Sequence, residues 1–345
     1  MTPLQRFFLI GISFFLLQNS FAQNHRLVGY LPYYQFNRAD DIDFEKLTHL
    51  CLAFANPDME GNLSIGGRDI DPVVEMAHEA DVEVLLSLAG GALTAEWWEA
   101  WQHLSTEENR PEFIHKIIEY LYEHNLQGID MDLEWQFVED WYTDFSLELN
   151  DSLRTHDFLY TAAYPGTYRY PEISDEALND FDFINMMVYD LTGPWNPDNV
   201  GSHSPYSFAE NSIKYWRDRQ GIAPEKLTLG IPFYGWNFDD RNDIFSFTYR
   251  SMVNQNPANA LRDNVGDAYY NGIPTVRLKT ELALEQVSGV MIWELGQDHF
   301  DEQFSLLNAI YEALSEPISS NENLCLLYTS PSPRDATLSR MPSSA

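Results

Sequence analysis

The sequence predicts an α/β protein, a (β/α)8 TIM barrel with a modest insertion between its seventh and eighth strands. Eight short apolar runs recur along the chain, and near-continuous apolar runs are typical of parallel strands that are buried on both faces. Amphipathic segments separate several of these runs, and this alternation over most of the 345 residues matches the size of such a barrel. A doubly wound open sheet is the alternative, but no G-x-G-x-x-G sequence follows the first run.

The predicted strands follow one another along the chain. They cover residues 27–31, 47–55, 82–88, 128–133, 158–164, 183–189, 227–234 and 288–293. Apolar residues at helical spacing predict helices over 71–80, 106–124, 145–153, 208–219, 275–285 and 301–314. The stretch from residue 234 to residue 288 is long for one strand–helix–strand step. Its polar part, 237–266, predicts the insertion, which we expect to form one wall of a cleft.

The two ends of the chain differ in composition from the middle. Arg6 precedes the apolar run 7–17, and the small residues Ser20 and Ala22 stand before Gln23, which predicts a signal peptide over residues 1–22. An uncleaved membrane anchor is the alternative, and either segment predicts export, to the periplasm or outside the cell. Residues 319–345 are expected to be a disordered tail, and we interpret the Ser- and Pro-rich part, 325–345, as a spurious extension.

Charge and composition exclude several kinds of partner. The formal net charge is −33, which disfavours nucleic acids and anionic membrane surfaces but is compatible with a neutral polysaccharide. The nine histidines show no H-x-x-x-H or H-E-x-x-H spacing, so no metal and no other cofactor are expected. Cys51 lies in an apolar run and is predicted to be a small buried side chain without a disulfide to Cys325. A monomer is expected.

Three carboxylic acids alternate along the fourth predicted strand. Asp130, Asp132 and Glu134 share one face, about 6.5–7 Å apart from one to the next. Burying such a row is costly, and mutual repulsion keeps at least one of the three protonated near neutral pH. Glycosidic-bond cleavage requires a protonated acid, and Glu134 is nearest the carboxyl end of the strand, where such barrels place their sites. A metal site or an exposed edge strand is the alternative.

The segment QGIDMDLE, residues 127–134, resembles the D-G-x-D-x-D-x-E signature of family 18 glycoside hydrolases, the chitinase-like barrels. Asp130, Asp132 and Glu134 match its last three acidic positions, whereas Gln127 stands where the family usually has an aspartate that supports the others from deep in the barrel. Other strands also resemble the family's: LVGYLPYY, LTHLCLAFA, a looser S-x-G-G match at SLAGG, MVYD, GIPFYGW and GVMIW. The resemblance extends over the whole predicted domain, 23–318.

The resemblance implies substrate-assisted, retaining hydrolysis of β-1,4-linked N-acetylglucosamine in chitin or chito-oligosaccharides. Glu134 would protonate the glycosidic oxygen, and the sugar's own acetamido oxygen would attack C1. Asp132 would orient the acetamido group, Tyr189 would donate a hydrogen bond to its oxygen, and Asp130 would hold Asp132. Asp190 would bind the acetamide or sugar hydroxyls. Spacing alone leaves direct attack by Asp132 open, and only the resemblance favours the substrate-assisted route.

Aromatic side chains at the strand ends are expected to bind the sugar. The resemblance places Trp293 beneath it. The other expected contacts are Tyr164, Met187, Trp135, Trp236, Tyr30 and Phe54. For Tyr30 and Phe54, a place in the barrel core and a place on the floor of the site are equally expected. The partner is therefore expected to be a polysaccharide or oligosaccharide that contains N-acetylglucosamine.

Two other functions remain open. An endo-β-N-acetylglucosaminidase acting on N-glycans uses the same catalytic strand, and a chitin-binding lectin without activity has the same fold. The presence of Glu134, Asp132 and Tyr189 favours an enzyme over a lectin. The choice between chitin and N-glycans depends on cleft walls that the sequence does not reveal.

Overall fold

Eight parallel strands close into a barrel in the computed structural model, which describes residues 25–315. They are β1 (Arg26–Pro32), β2 (His49–Pro57), β4 (Glu83–Gly90), β5 (Gly128–Leu133), β6 (Leu159–Pro165), β7 (Phe183–Met187), β8 (Leu227–Pro232) and β13 (Gly289–Trp293). Their order is β1-β13-β8-β7-β6-β5-β4-β2, and the pairing of β1 with β2 closes the ring. The predicted barrel and each of its eight strands are confirmed. The predicted signal peptide, the tail over 319–345 and Cys325 lie outside the described residues.

Helices connect most of the strands. They are α1 (Asp71–Glu79), α2 (Ala95–Leu104), α3 (Arg110–Glu123), α4 (Tyr142–Arg154), α5 (Asp175–Asp180), α6 (Tyr206–Ile213), α7 (Tyr249–Gln255), α8 (Ile273–Gln286) and α9 (Leu306–Ser315). The helix predicted from residue 106 begins only at Arg110, because Pro111 lies in its first turn, where the missing N–H costs nothing. No helix within residues 25–315 is both long and apolar enough to span a membrane.

The predicted insertion is a small antiparallel sheet. Its strands are β9 (Tyr234–Asn237), β10 (Phe245–Thr248), β11 (Asn264–Val265) and β12 (Ala268–Tyr269), in the order β10-β9-β12-β11. The run predicted as one strand over 227–234 therefore ends at Pro232, which has no N–H to continue the ladder. A two-residue strand, β3 (Leu63–Ser64), extends β2 as a hairpin. The insertion continues directly from β8, at the carboxyl end of the barrel.

The strands separate two cores. Side chains that point outward, such as Ile129, Met131 and Leu133, pack with the helices. Side chains that point inward fill the barrel with a smaller cluster, which includes Tyr30, free Cys51 and Met187. The alternation of β5 thus directs its apolar residues to the outer core and its carboxylic acids into the barrel.

Candidate active site

Asp130 is the most deeply buried of the three acids and is fully paired. Its Oδ2 accepts hydrogen bonds from the hydroxyls of Tyr30 (2.7 Å) and Ser87 (2.7 Å). Its Oδ1 accepts from the Thr161 hydroxyl (2.7 Å) and from Nδ2 of Asn185 (3.3 Å). Burial raises the pKa of Asp130, and these hydrogen bonds oppose that rise. The four donors therefore form a cage that accommodates the carboxylate.

The cage follows from strand register. Ser87 on β4 and Thr161 on β6 both lie directly opposite Asp130. Asn185 is oriented in turn by the Thr228 hydroxyl of β8, which donates to its Oδ1 (2.6 Å). Because inward-facing residues of neighbouring parallel strands lie at one level, the Asp130 carboxylate accepts hydrogen bonds from several strands at once.

Asp132 lies two residues further along β5 and is only 3% exposed. Its Oδ1 is buried and accepts no hydrogen bond from any residue between 25 and 315. Burial, and then the negative charges of Glu134 and Asp130, raise the pKa of Asp132 well above its usual value. Asp132 therefore presents a buried acceptor that the protein itself leaves unpaired.

Glu134 follows the end of β5 and is half-buried. Burial, and then the negative charge of Asp190, raise its pKa to about 7. Gly91, just past the end of β4, lies against this carboxyl group: a Cβ on Gly91 would come within 2.6 Å of Oε1 of Glu134. The absence of a side chain at Gly91 thus makes the space in which the Glu134 carboxyl group sits.

Tyr189 and Asp190 follow β7 at the same end of the barrel. Burial, and then the charges of Asp132 and Glu134, raise the pKa of Tyr189 well above its usual value, so its hydroxyl remains a donor. Oδ1 of Asp190 accepts from the Tyr234 hydroxyl (2.6 Å) and from Nε1 of Trp236 (2.9 Å). Burial would raise the pKa of Asp190, but hydrogen bonds, from His203 first, hold it below its usual range. Asp190 is therefore a carboxylate.

Trp293 lies at the mouth of the barrel. Its ring stacks on Phe54 with centroids 5.5 Å apart and planes 20° apart, and it meets the ring of Tyr30 at 5.6 Å. Trp293 and Phe54 are partly buried against the inner cluster that contains Met187. These side chains form an apolar floor beside the acids.

Three further tryptophans lie at the same end of the barrel. Trp135 follows Glu134 directly and is 52% exposed, with its backbone N–H donating to the Tyr170 hydroxyl (3.1 Å). Trp236 is edge-on to Trp195 at 5.6 Å, and Trp195 is 57% exposed. The exposed rings of Trp135 and Trp195 offer faces on which sugar rings can pack.

Comparisons with known proteins decide the family. The model of the family described as glycosyl hydrolases family 18 matches residues 26–298. The chain belongs to glycosyl hydrolase family 18. Membership of this family confirms the resemblance seen in the sequence, and it supports the prediction of a glycosidase.

Solved structures and curated relatives agree with the family. The family 18 chitinase ChiB from the chitin utilization locus of Flavobacterium johnsoniae is 42% identical, with a TM-score of 0.82 over 84% of this chain and 94% of that chain. A chitinase from Bacteroides thetaiotaomicron is 27% identical, with a TM-score of 0.72 over 84% and 96% of the two chains. The class V chitinase CHIT5 of Lotus japonicus is 28% identical over 62% of this chain. The chain spans 61% of the length of that curated relative.

Two residues are placed differently from what the sequence and the resemblance suggest. Tyr164 does not line the cleft: it is fully buried in the outer core, where it stacks on Trp216 and its hydroxyl bonds that of Tyr142 (3.0 Å). Because Thr161 on the same strand points inward, Tyr164, three residues on, must point outward. Gln127 lies at the amino end of β5, where its Oε1 accepts from the Val84 N–H (2.7 Å), rather than deep in the barrel behind Asp130.

Of the two places left open for Tyr30, the structure shows the barrel core rather than the floor of the site. Tyr30 is completely buried, and its hydroxyl is directed to Asp130. The remaining predicted residues lie together at the carboxyl end of the barrel: Asp130, Asp132, Glu134, Trp135, Met187, Tyr189, Asp190, Trp236, Trp293 and Phe54. Within residues 25–315, no group of three or more His, Cys, Asp or Glu side chains is arranged to hold a metal ion.

Several polar residues of the site were not predicted. Thr161, Asn185 and Thr228 are ordinary polar positions in the sequence, and only the register of four strands brings them together around Asp130. Tyr234 and His203 contact Asp190 from segments that are far away along the chain. A polar residue at an inward position of an otherwise apolar strand, as at Thr161, is the one sequence feature that indicates such a role.

Proposed function

We propose that the protein hydrolyses β-1,4 links between N-acetylglucosamine units, with Glu134 as the acid and then the base. The observation that carries this proposal is the buried, unpaired Oδ1 of Asp132. An unsatisfied buried polar group costs about 1–3 kcal/mol, so a site that retains one is suited to a donor that the substrate brings. The acetamido N–H of N-acetylglucosamine is such a donor.

The properties of Glu134 suit the first chemical step. With its pKa raised to about 7, a large fraction of Glu134 is protonated near neutral pH and can protonate the leaving glycosidic oxygen. The ionised Asp190 helps to keep that proton in place, because its negative charge raises the pKa of Glu134. An acid of this kind is required whether the nucleophile comes from the enzyme or from the substrate.

The neighbours of Glu134 support a substrate-assisted route. The acetamido oxygen attacks C1, the glycosidic bond breaks, and an oxazolinium ion forms. The Tyr189 hydroxyl, which bonds to no other residue between 25 and 315, is free to donate to the acetamido oxygen. The positive charge that develops stabilises the ionised form of Asp132. Water then attacks C1, and Glu134 takes the proton of that water. Because C1 undergoes two successive displacements, the configuration of the sugar is retained.

The relatives support the substrate class. The ChiB structure, which is 42% identical, is a chitinase of a chitin utilization locus, and the class V protein from Lotus japonicus is also a chitinase. The exposed rings of Trp135 and Trp195 suit a chain of sugar rings that extends past the cleavage point. We therefore infer chitin or chito-oligosaccharides as the substrate.

The cellular location is also part of the proposal. The segment 1–22 has the composition of a signal peptide, and we infer that a monomeric enzyme acts in the periplasm or outside the cell. Fractionation of cells that express the full chain tests this inference. Cytoplasmic retention of the uncleaved chain would contradict it.

Cleavage of N-acetylglucosamine oligomers and of a high-mannose N-glycan tests the function. We compare the wild type with Glu134→Gln, which keeps the shape of the acid but not its proton, and with Glu99→Gln at an exposed position as the matched control. We expect oligomer cleavage that falls about 10²–10⁴-fold in Glu134→Gln and is unchanged in Glu99→Gln. Cleavage of the N-glycan alone would replace chitin with N-glycans as the substrate. Oligomer binding without cleavage by the wild type would refute the enzymatic proposal in favour of a lectin.

A further inference from the structure

The loop that follows β7 is held by a segment further along the chain, residues 203–204. The ladder between β7 and β8 ends within β7, so the backbone groups beyond it need other partners. The carbonyl oxygen of Val188 accepts a hydrogen bond from the Ser204 hydroxyl, and the N–H of Leu191 donates to the carbonyl oxygen of His203 (2.9 Å). The segment 203–204 therefore bonds the loop on both sides of the two site residues that the loop carries.

One of these two site residues, Asp190, has an unusual backbone conformation. Its φ is 60°, in the left-handed region that residues other than glycine adopt uncommonly. Such a conformation is unfavourable and persists only where the surrounding contacts maintain it. The hydrogen bonds at Val188 and Leu191 lie two residues before Asp190 and one residue after it, so they hold the chain where this conformation has to be maintained.

A buried lysine stands behind Ser204. Lys279, on α8, is completely buried, and its Nζ donates to the carbonyl oxygen of Ser204 (2.6 Å), to the Ser204 hydroxyl oxygen (2.6 Å) and to Oδ1 of Asn271 (2.7 Å). The Asn271 amide is fixed in turn, because its Nδ2 donates to the same Ser204 carbonyl oxygen (3.0 Å). Since Lys279 donates to the hydroxyl oxygen, the hydroxyl proton of Ser204 is left for the Val188 carbonyl.

We propose that Ser204 is a positioning residue, whose hydroxyl fixes the peptide group between Val188 and Tyr189 and so orients the Tyr189 hydroxyl toward the bound sugar. The Val188 carbonyl and the Tyr189 N–H belong to one planar unit, so a hydrogen bond to the carbonyl sets the plane from which the Tyr189 side chain starts. The inference rests on the proposed function, in which the Tyr189 hydroxyl donates to the acetamido oxygen. Ser204 is itself completely buried and acts only through this peptide group.

Two serine variants test the role of this hydroxyl. Ser204→Ala removes the hydroxyl and keeps the carbonyl oxygen to which Lys279 donates. Ser212→Ala is the matched control, because Ser212 is equally buried and its hydroxyl also donates to a backbone carbonyl oxygen, that of Phe208 (2.8 Å), within α6. On N-acetylglucosamine oligomers, we expect kcat to fall on the order of 10-fold in Ser204→Ala with little change in KM, since a misplacement of about 1 Å costs about 10²-fold. Ser212→Ala should leave kcat unchanged.

A second background separates positioning from general destabilisation. In Tyr189→Phe the hydroxyl that Ser204 orients is absent, so adding Ser204→Ala should lower kcat by no more than about twofold further. An equal loss of kcat in the wild-type and Tyr189→Phe backgrounds would show that Ser204 does not act through Tyr189, and it would overturn the proposal.

Hydrogen exchange of the Leu191 amide measures the hold on the loop without turnover. This N–H donates to the residue before Ser204, so we expect exchange about 5–10-fold faster in Ser204→Ala, the effect of one lost hydrogen bond, and unchanged in Ser212→Ala. Unchanged exchange in Ser204→Ala would overturn the proposal whether or not the wild type is active. An inactive wild type in which Ser204→Ala still speeds this exchange would instead refute the proposed function and support the hold of Ser204 on the loop.

Discussion

Adding one methyl group at Gly91 should impair catalysis without unfolding the protein. A Cβ at this position would lie 2.6 Å from Oε1 and 3.0 Å from Cδ of Glu134, where ordinary contact begins at 3.4 Å. The Glu134 carboxyl group would therefore have to retreat by about 0.8 Å. A misplacement of about 1 Å in a catalytic group costs on the order of 10²-fold in rate. We expect Gly91→Ala to lower kcat by about 30–100-fold, with a small change in KM.

The fold should tolerate this substitution. Gly91 does not have a positive φ, so alanine fits its backbone, and the atoms that must move are the end of a flexible side chain. Kinetics on N-acetylglucosamine oligomers and thermal unfolding measure the two effects separately. Gly201→Ala is the matched control, because nothing lies within 4 Å of its added Cβ. A kcat of Gly91→Ala within about twofold of the wild type would refute the claim that Gly91 sets the position of the acid.

Three more substitutions test other parts of the site. Asp190→Asn removes the charge that raises the pKa of Glu134, so the alkaline limb of kcat/KM should move to lower pH in a pH–rate profile. Tyr30→Phe removes one of the four donors to the buried Asp130 and should lower the free energy of unfolding by about 1–3 kcal/mol, measured with denaturant. Tyr164→Phe should cost about 1 kcal/mol of stability and leave kcat and KM unchanged, and a rise in KM would instead put Tyr164 in the cleft.

The strands were predictable because each is a short apolar run that is buried on both faces. The acids were predictable because Asp130, Asp132 and Glu134 interrupt one such run at every second position. The same period-two rule corrects Tyr164, because Thr161 points into the barrel and Tyr164 lies three residues further along the strand. What was missing was the knowledge of which face Thr161 occupies, since a strand with apolar residues on both faces does not reveal its inward side.

Composition, periodicity and one acidic strand thus determined the barrel, its insertion and the order of its strands along the chain. They also indicated a site built on carboxylic acids rather than on a metal-ligand pattern. The partners of each acid depended on tertiary structure. Four strands meet at Asp130, while Tyr234 and His203 reach Asp190 across gaps of 44 and 13 residues. Burial and nearby charge set the proton affinities of Asp132 and Glu134. Both quantities depend on distances through space, which no local pattern of residues encodes.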